Sequence, residues 1–357
     1  MHNGPKIAVV GCGLIGERHA RVISEHAGMN LAGIVEPSEQ NRAAAEAFGV
    51  SVWRELDALL DEGTIDGIIL ATPTTMHTDQ ALQCIENRIP ILIEKPIAVT
   101  ADDAKSITSA ARSKSVDVLV GHHRRYNGMV RAAKQALESG SIGEIRAIQS
   151  TCWFYKPDEY FDKAPWRKKH GAGPISVNLV HDVDLLRHFC GEVKTAQAVS
   201  VPSHRGFENE DLASAILTFT SGAVATITVS DSVVGPWSWE LTTGENPVYP
   251  QTDQNCYLIG GSEGGLSLPS LQMWKHEGTP DWWAPIQKTT IPYENKDPLI
   301  VQMEHFADVI EGRDTPLVSA DEGAKSLEVV EAIALSARNG RAIDLEPAEN
   351  SSVQTGT

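Results

Sequence analysis

The sequence predicts an α/β protein in two parts. Residues 1–122 read as a doubly wound parallel sheet, and residues 123–345 as an α+β domain with a mostly antiparallel open sheet. Three observations predict this. Apolar runs alternate with helix-like runs up to about residue 121. A glycine-rich turn joins the first strand to the first helix. Beyond about residue 126 the pattern changes to period-two alternation with hairpin signals.

The first strand is the β-branched run Ile7-Ala8-Val9-Val10, continuous enough for a strand buried on both faces. Gly11-Cys12-Gly13-Leu14-Ile15-Gly16 follows as G-x-G-x-x-G, and a run without Pro or Gly, Glu17–His26, reads as helix. In that context the first glycine makes the turn and the second admits a pyrophosphate. The third lets helix and strand pack, and the helix N-terminus supplies N–H donors. The second strand, Leu31–Val35, ends at Glu36, about 20 residues beyond Gly16, where a ribose-binding carboxylate belongs. It would accept from a ribose 2′-hydroxyl and repel a 2′-phosphate. No arginine comes before Arg42, so the expected cofactor is NAD over NADP. The cradle includes Leu14 and Ile15, and this half reads as a Rossmann domain.

Further strands are expected at Gly67–Ala71, Ile91–Ile93 and Val116–Val120. Helices are expected at Ser38–Phe48, Glu55–Asp61, Met76–Asn87 and Ala101–Ser113, the last capped by Thr100. Ligands bind beyond the carboxyl ends of such strands. Three of those ends are chemically loaded: Ala71-Thr72-Pro73-Thr74 with His77, Glu94-Lys95-Pro96, and His122-His123-Arg124-Arg125-Tyr126.

In the second part, a helix at Met129–Ser139 leads into strands at Ile145–Phe154, Val193–Val201, Leu212–Thr220 and Ala223–Asp231. Shorter strands are expected at Cys256–Gly260, Leu266–Leu268 and Leu271–Trp274, and late helices at Leu299–Glu311 and Ala320–Asn339. Residues 233–255 lack periodicity and read as a long loop. That loop carries Trp237 and Trp239, and a second irregular stretch carries Trp282 and Trp283. Such aromatics line a ring-binding site, cover a subunit interface or anchor their own loop. The polar tail, 346–357, is expected to be disordered.

The chain of 357 residues has room for two ordinary domains. Its net charge of −17 argues against nucleic acid and anionic membrane as partners. Five dispersed cysteines without C-x-x-C spacing give neither a zinc site nor a disulfide framework, and no metal is expected. No apolar run approaches a membrane span, and MHNGPK followed by a glycine-broken strand is no secretory signal. A cytoplasmic setting is the expectation.

The chain resembles the glucose–fructose oxidoreductase / inositol dehydrogenase / MocA family over nearly its whole length. The resemblance rests on the glycine loop, Ala71-Thr72-Pro73 with His77, Glu94-Lys95-Pro96, Trp166-Arg167, and Gly171 to Asp184 with His181 at its centre. It implies an NAD(P)-dependent dehydrogenase acting on a secondary alcohol of a sugar, sugar acid, polyol or cyclic diol. It also implies that Lys95 and His181 are catalytic, holding the substrate hydroxyl and taking its proton as hydride leaves for nicotinamide. Ala71, Thr72, Pro73, Thr74, His77, Glu94, Lys95, Arg124, Trp166 and Arg167 then belong to the cofactor side. His123, Arg125, Tyr126, Trp166 and Asn178 belong to the substrate side.

The chain departs from the family where many members carry an aspartate four residues before the histidine. Val177 stands there, with Asn178 three residues before His181 on the same expected helix, about 176–189. Asn is no base, but its amide can orient a hydroxyl. Lys168, Lys169 and His170 form a basic cluster that either attracts an anionic substrate or is a solvated turn. Two alternatives stand beside the dehydrogenase. One is an NAD-assisted glycosidase or lyase working through a transient 3-keto sugar, which makes no net NADH. The other is a non-catalytic NAD-binding sensor. The expected assembly, by analogy, is a homodimer or homotetramer formed through the exposed face of the second sheet.

Overall fold

A computed structural model describes residues 4–345. The tail expected to be disordered lies outside the described residues. The described residues divide into two compact units, 4–132 with 293–328, and 133–292 with 329–345.

The first unit is built on six strands: β1 (Lys6–Val10), β2 (Asn30–Val35), β3 (Ser51–Trp53), β4 (Gly67–Leu70), β5 (Ile91–Ile93) and β6 (Val118–Val120). They lie in the order β3-β2-β1-β4-β5-β6 and every pairing is parallel. The order reverses between β1 and β4, which is where a doubly wound sheet opens a crevice at its carboxyl edge. Alternate residues of β1 enter opposite cores. Ile7 and Val9 join one cluster, and Ala8 and Val10 the other. Both faces are covered, which is why the strand reads as an unbroken apolar run.

Segment 293–328, placed in the second domain by sequence order, packs with the first unit. Its helix, Pro298–Ile310, sends Met303, Phe306 and Val309 into the core of Ile7 and Val9. At Gly67 a Cβ would lie 2.4 Å from Ile310. That glycine lets the helix approach the sheet.

The second unit holds nine strands: β7 (Ile145–Trp153), β8 (Val193–Pro202), β9 (Glu210–Phe219), β10 (Val224–Ser230), β11 (Tyr257–Gly261), β12 (Gly264–Leu268), β13 (Gln272–His276), β14 (Ile286–Thr290) and β15 (Ile343–Asp344). Their order is β14-β13-β12-β11-β7-β10-β9-β8-β15, and only β7 with β10 runs parallel. The hairpin between β9 and β10 turns at Gly222, whose φ of +88° suits glycine. One face of the sheet is packed by helices in Pro174–Cys190. The other leaves Val199, Val201, Ile216, Val224 and Leu258 exposed.

Further details differ from the expectation. The segment read as one helix is two, Pro174–Val177 and Leu179–Cys190, broken at Asn178. The loop at 233–255 contains a short helix, Trp239–Thr242, which Ser238 caps by accepting from the Leu241 N–H. Strand β14 was not foreseen, because all five of its residues are exposed and only β13 pairs with it. No helix among the described residues is long and apolar enough to cross a membrane.

Candidate active site

In the first unit β1 delivers the chain into Gly11, whose φ of +93° requires glycine. A Cβ on Gly16 would lie 1.9 Å from the Gly11 carbonyl oxygen, so helix and turn can pack only without it. At Gly13 a Cβ would meet no protein atom within 4 Å. The space over that residue is open. Helix Leu14–Glu25 starts there with no side chain capping its first turn, so its leading N–H groups are available to an anion. Leu14, 95% exposed, stands at this mouth.

Glu36 ends β2 and is only 4% exposed. Its Oε2 accepts from the Cys12 N–H at 2.7 Å, and its Oε1 accepts from the Ser38 N–H at 2.7 Å. The carboxylate is thereby tied to the phosphate loop, and Oε1, with one donor, keeps lone-pair capacity for a ribose hydroxyl. Burial and the Glu36 charge push the Cys12 thiol up to about 11, so it stays protonated and inert. Arg42 and Arg54 are paired with Glu46 and Glu39. The open cradle, the uncapped helix and the fixed acid fit NAD.

At the end of β4, Thr72 donates its hydroxyl to Gln80 at 2.6 Å. His77 is buried. Its Nε2 lies 2.9 Å from the Thr72 carbonyl oxygen and its Nδ1 3.0 Å from that of Pro96. Its ring stitches the loop after β4 to the loop after β5. Burial lowers the His77 pKa against the pull of those carbonyls.

At the end of β5 the Lys95 N–H donates to Glu94 Oε2 at 3.2 Å. Glu94 Oε1 lies 2.7 Å from Nε2 of His19, a fully buried residue outside the expected set. Burial alone would raise the Glu94 pKa. The His19 hydrogen bond and the charges of His19, Lys95 and His123 outweigh it and hold the carboxyl at about 2. A Cβ on Gly121, at the end of β6, would sit 3.0 Å from the same carboxylate. Four strand ends thus bring together Glu36, the β4 loop, Glu94 with Lys95, and His123.

Arg125 is 4% exposed and its Nη2 donates to Glu322 at 3.1 Å. The Tyr126 ring lies 5.5 Å from His305. Both contacts are with segment 293–328. Arg124 is buried as well.

In the second unit His181 lies in the first turn of helix Leu179–Cys190, and Asn178 is its N-cap residue. The break leaves the two without a common helix, but the His181 N–H still donates to the Asn178 carbonyl oxygen at 3.2 Å. A residue not foreseen also meets Asn178: Lys156, buried, donates from Nζ to Asn178 Oδ1 at 2.7 Å. Burial lowers the Lys156 pKa while Asp231 pulls it back up. A lone cation in an aromatic strand end, Trp153-Phe154-Tyr155-Lys156, was the available signal. Asp182, beside His181, accepts from the Tyr257 hydroxyl.

Trp166 is 58% exposed, and the Arg167 guanidinium stacks 3.9 Å over the Tyr160 ring while donating to its carbonyl. Lys168 pairs with Asp162 and Lys169 with Glu208. These pairs neutralise the basic turn that offered an attraction for anions.

Two family models match the sequence. The oxidoreductase family, NAD-binding Rossmann fold (GFO_IDH_MocA) covers residues 5–122, and the GFO/IDH/MocA C-terminal domain covers 130–267. D-apiose dehydrogenase of Paraburkholderia graminis is 25% identical over 96% of this chain and 90% of its own length. scyllo-Inositol 2-dehydrogenase (NAD(+)) of Bacillus subtilis is 25% identical over 97% of this chain and 98% of its own. The crystal structure of the WlbA dehydrogenase from Bordetella pertussis, in complex with NADH and UDP-GlcNAcA, superposes with a TM-score of 0.78 at 26% identity. It covers 97% of this chain and 100% of that one.

Proposed function

The chain belongs to the GFO/IDH/MocA oxidoreductase family, and from that premise we propose that it oxidises a secondary alcohol of a sugar, sugar acid, polyol or cyclic diol with NAD. One observation carries the reading. Lys95 stands at the carboxyl end of β5, beside an ionised Glu94, on the sheet edge that also presents the Gly11–Gly16 cradle and Glu36. The relatives' names, a D-apiose and a scyllo-inositol dehydrogenase, support the alcohol class.

NAD, when bound, supplies the hydride acceptor at its nicotinamide ring. The leading N–H groups of helix Leu14–Glu25 would hold its pyrophosphate, and Glu36 would hold its ribose. Lys95, as the neutral amine, holds the substrate hydroxyl and takes its proton as the carbon–oxygen double bond forms, becoming the ammonium that Glu94 stabilises. In net terms a CH–OH group becomes a carbonyl, and one hydride and one proton leave it. We assign His181 as the second proton-handling group. Asn178, its carbonyl held by Lys156, offers an N–H to a substrate oxygen.

The test is NADH absorbance with NAD or NADP across sugars, sugar acids, inositols, glycosides and cyclic diols. The reading expects NADH to accumulate on one class with NAD. Tight NAD binding with no NADH from any compound overturns it. The exposed face carrying Ile216, Val224 and Leu258 is assigned to self-association. Ile216→Lys with Leu258→Glu should lower the mass read by light scattering, and an unchanged mass contradicts that assignment.

A further inference from the structure

His19 follows the last glycine of the phosphate loop by three residues and is fully buried. Nothing in the cofactor chemistry above uses it. Its Nδ1 is buried and has no hydrogen-bond partner among the described residues. Its Nε2 faces Glu94 Oε1 at 2.7 Å. Glu94 stays ionised to about pH 2 and so only accepts, which places a hydrogen on Nε2 in either charge state of the ring. The other Glu94 oxygen accepts from the Lys95 N–H. One carboxylate therefore joins helix Leu14–Glu25 to the main chain of Lys95.

We propose that His19 is a positioning residue for Lys95: it pins Glu94 so that the lysine keeps both its backbone anchor and its carboxylate neighbour. The groups facing Glu94 are His19 from helix Leu14–Glu25, His77 from helix His77–Glu86, His123 from the turn after β6, and Lys95 itself. His77 is held by two carbonyls, and His19 gives this carboxylate its side-chain hydrogen bond among the described residues. Without that donor, burial favours the protonated acid. The Lys95 ammonium then loses a stabilising charge and its main-chain contact loosens.

The proposal rests on the reading of Lys95 above only in its kinetic arm. The first arm needs no substrate. Lys95 in the full-length protein without cofactor is acetylated with trace acetic anhydride across pH and read by peptide mass spectrometry. His19→Leu should move the Lys95 midpoint down by about 1 pH unit. Glu94→Gln should do the same, and the double variant should match Glu94→Gln alone. His19→Gln, which keeps a donor near the Nε2 position, should stay close to the parent. If His19→Leu does not fold, His19→Asn, too short to reach Glu94, takes its place.

In the kinetic arm, on whichever panel compound turns over, His19→Leu should shift the midpoint of the kcat–pH profile down by about 1 pH unit, with the Kd for NAD within about threefold of the parent. His19→Gln should keep the parent midpoint. A Lys95 profile unmoved in His19→Leu, or shifts that add in the double variant, overturns the proposal. If the panel yields no turnover, the dehydrogenase reading fails, and the acetylation arm still decides the role of His19.

Discussion

Glu36 is set by two main-chain N–H donors, one from the phosphate loop and one from its own strand end. Removing it takes away the ribose acceptor and the charge that opposes a 2′-phosphate. Glu36→Ala should weaken NAD about tenfold, ~1.4 kcal/mol, and weaken NADP less, measured by cofactor titration. An unchanged NAD/NADP ratio contradicts the assignment. Lys95→Met should lower kcat about 100-fold or more while NAD still binds. Full activity removes Lys95 from the chemistry. The glycines, Glu36 and Lys95 were legible because each sits in a short local pattern with a fixed place relative to a strand. His19 and Lys156 were not. Their partners lie 75 and 22 residues away, and no local periodicity reports a contact of that kind.

Among the elements, the strands of the parallel sheet were the most legible. Burial on both faces demands uninterrupted apolar residues, so β1, β2, β4, β5 and β6 announce themselves. Strand β3 is three residues long with an exposed start, too short to carry a pattern. The break at Asn178 was hidden because Val177 and Leu179 continue the apolar run through it. Helix Ala101–Lys114 begins at Thr100, whose hydroxyl oxygen accepts from the Asp103 N–H at 3.1 Å. Thr100→Ala should cost about 1 kcal/mol of stability, a Tm fall of about 2 °C by calorimetry. Gly16→Ala is a different test of an element. The added carbon would strike the Gly11 carbonyl, so the helix must move and NAD affinity should fall about tenfold or more. Parent-like affinity would mean that the packing of helix on turn does not shape the cradle.

On the scale of the molecule, the alternation of strand and helix revealed two kinds of sheet, but not where the chain returns. Segment 293–328 joins the first unit after the chain has built most of the second. Periodicity reports which face of a helix is apolar and not which core it enters, so Met303 and Phe306 gave no sign of their partners Ile7 and Val9. Acid stability follows from Glu94. Its folded pKa of about 2 lies below the ordinary 4.5, so its contribution is fully present above pH 4.5 and is lost as the pH falls towards 2. His19→Leu should lose that contribution, and its stability deficit against the parent should narrow between pH 4.5 and 2 in denaturant titrations. A deficit constant across that window contradicts the origin given for the Glu94 shift. Hydride transfer from a substrate carbon to bound NAD can be read by turning over a panel substrate deuterated at the reacting carbon and weighing the NADH formed. One deuterium in each NADH is expected. NADH without deuterium, or product without NADH, would contradict it.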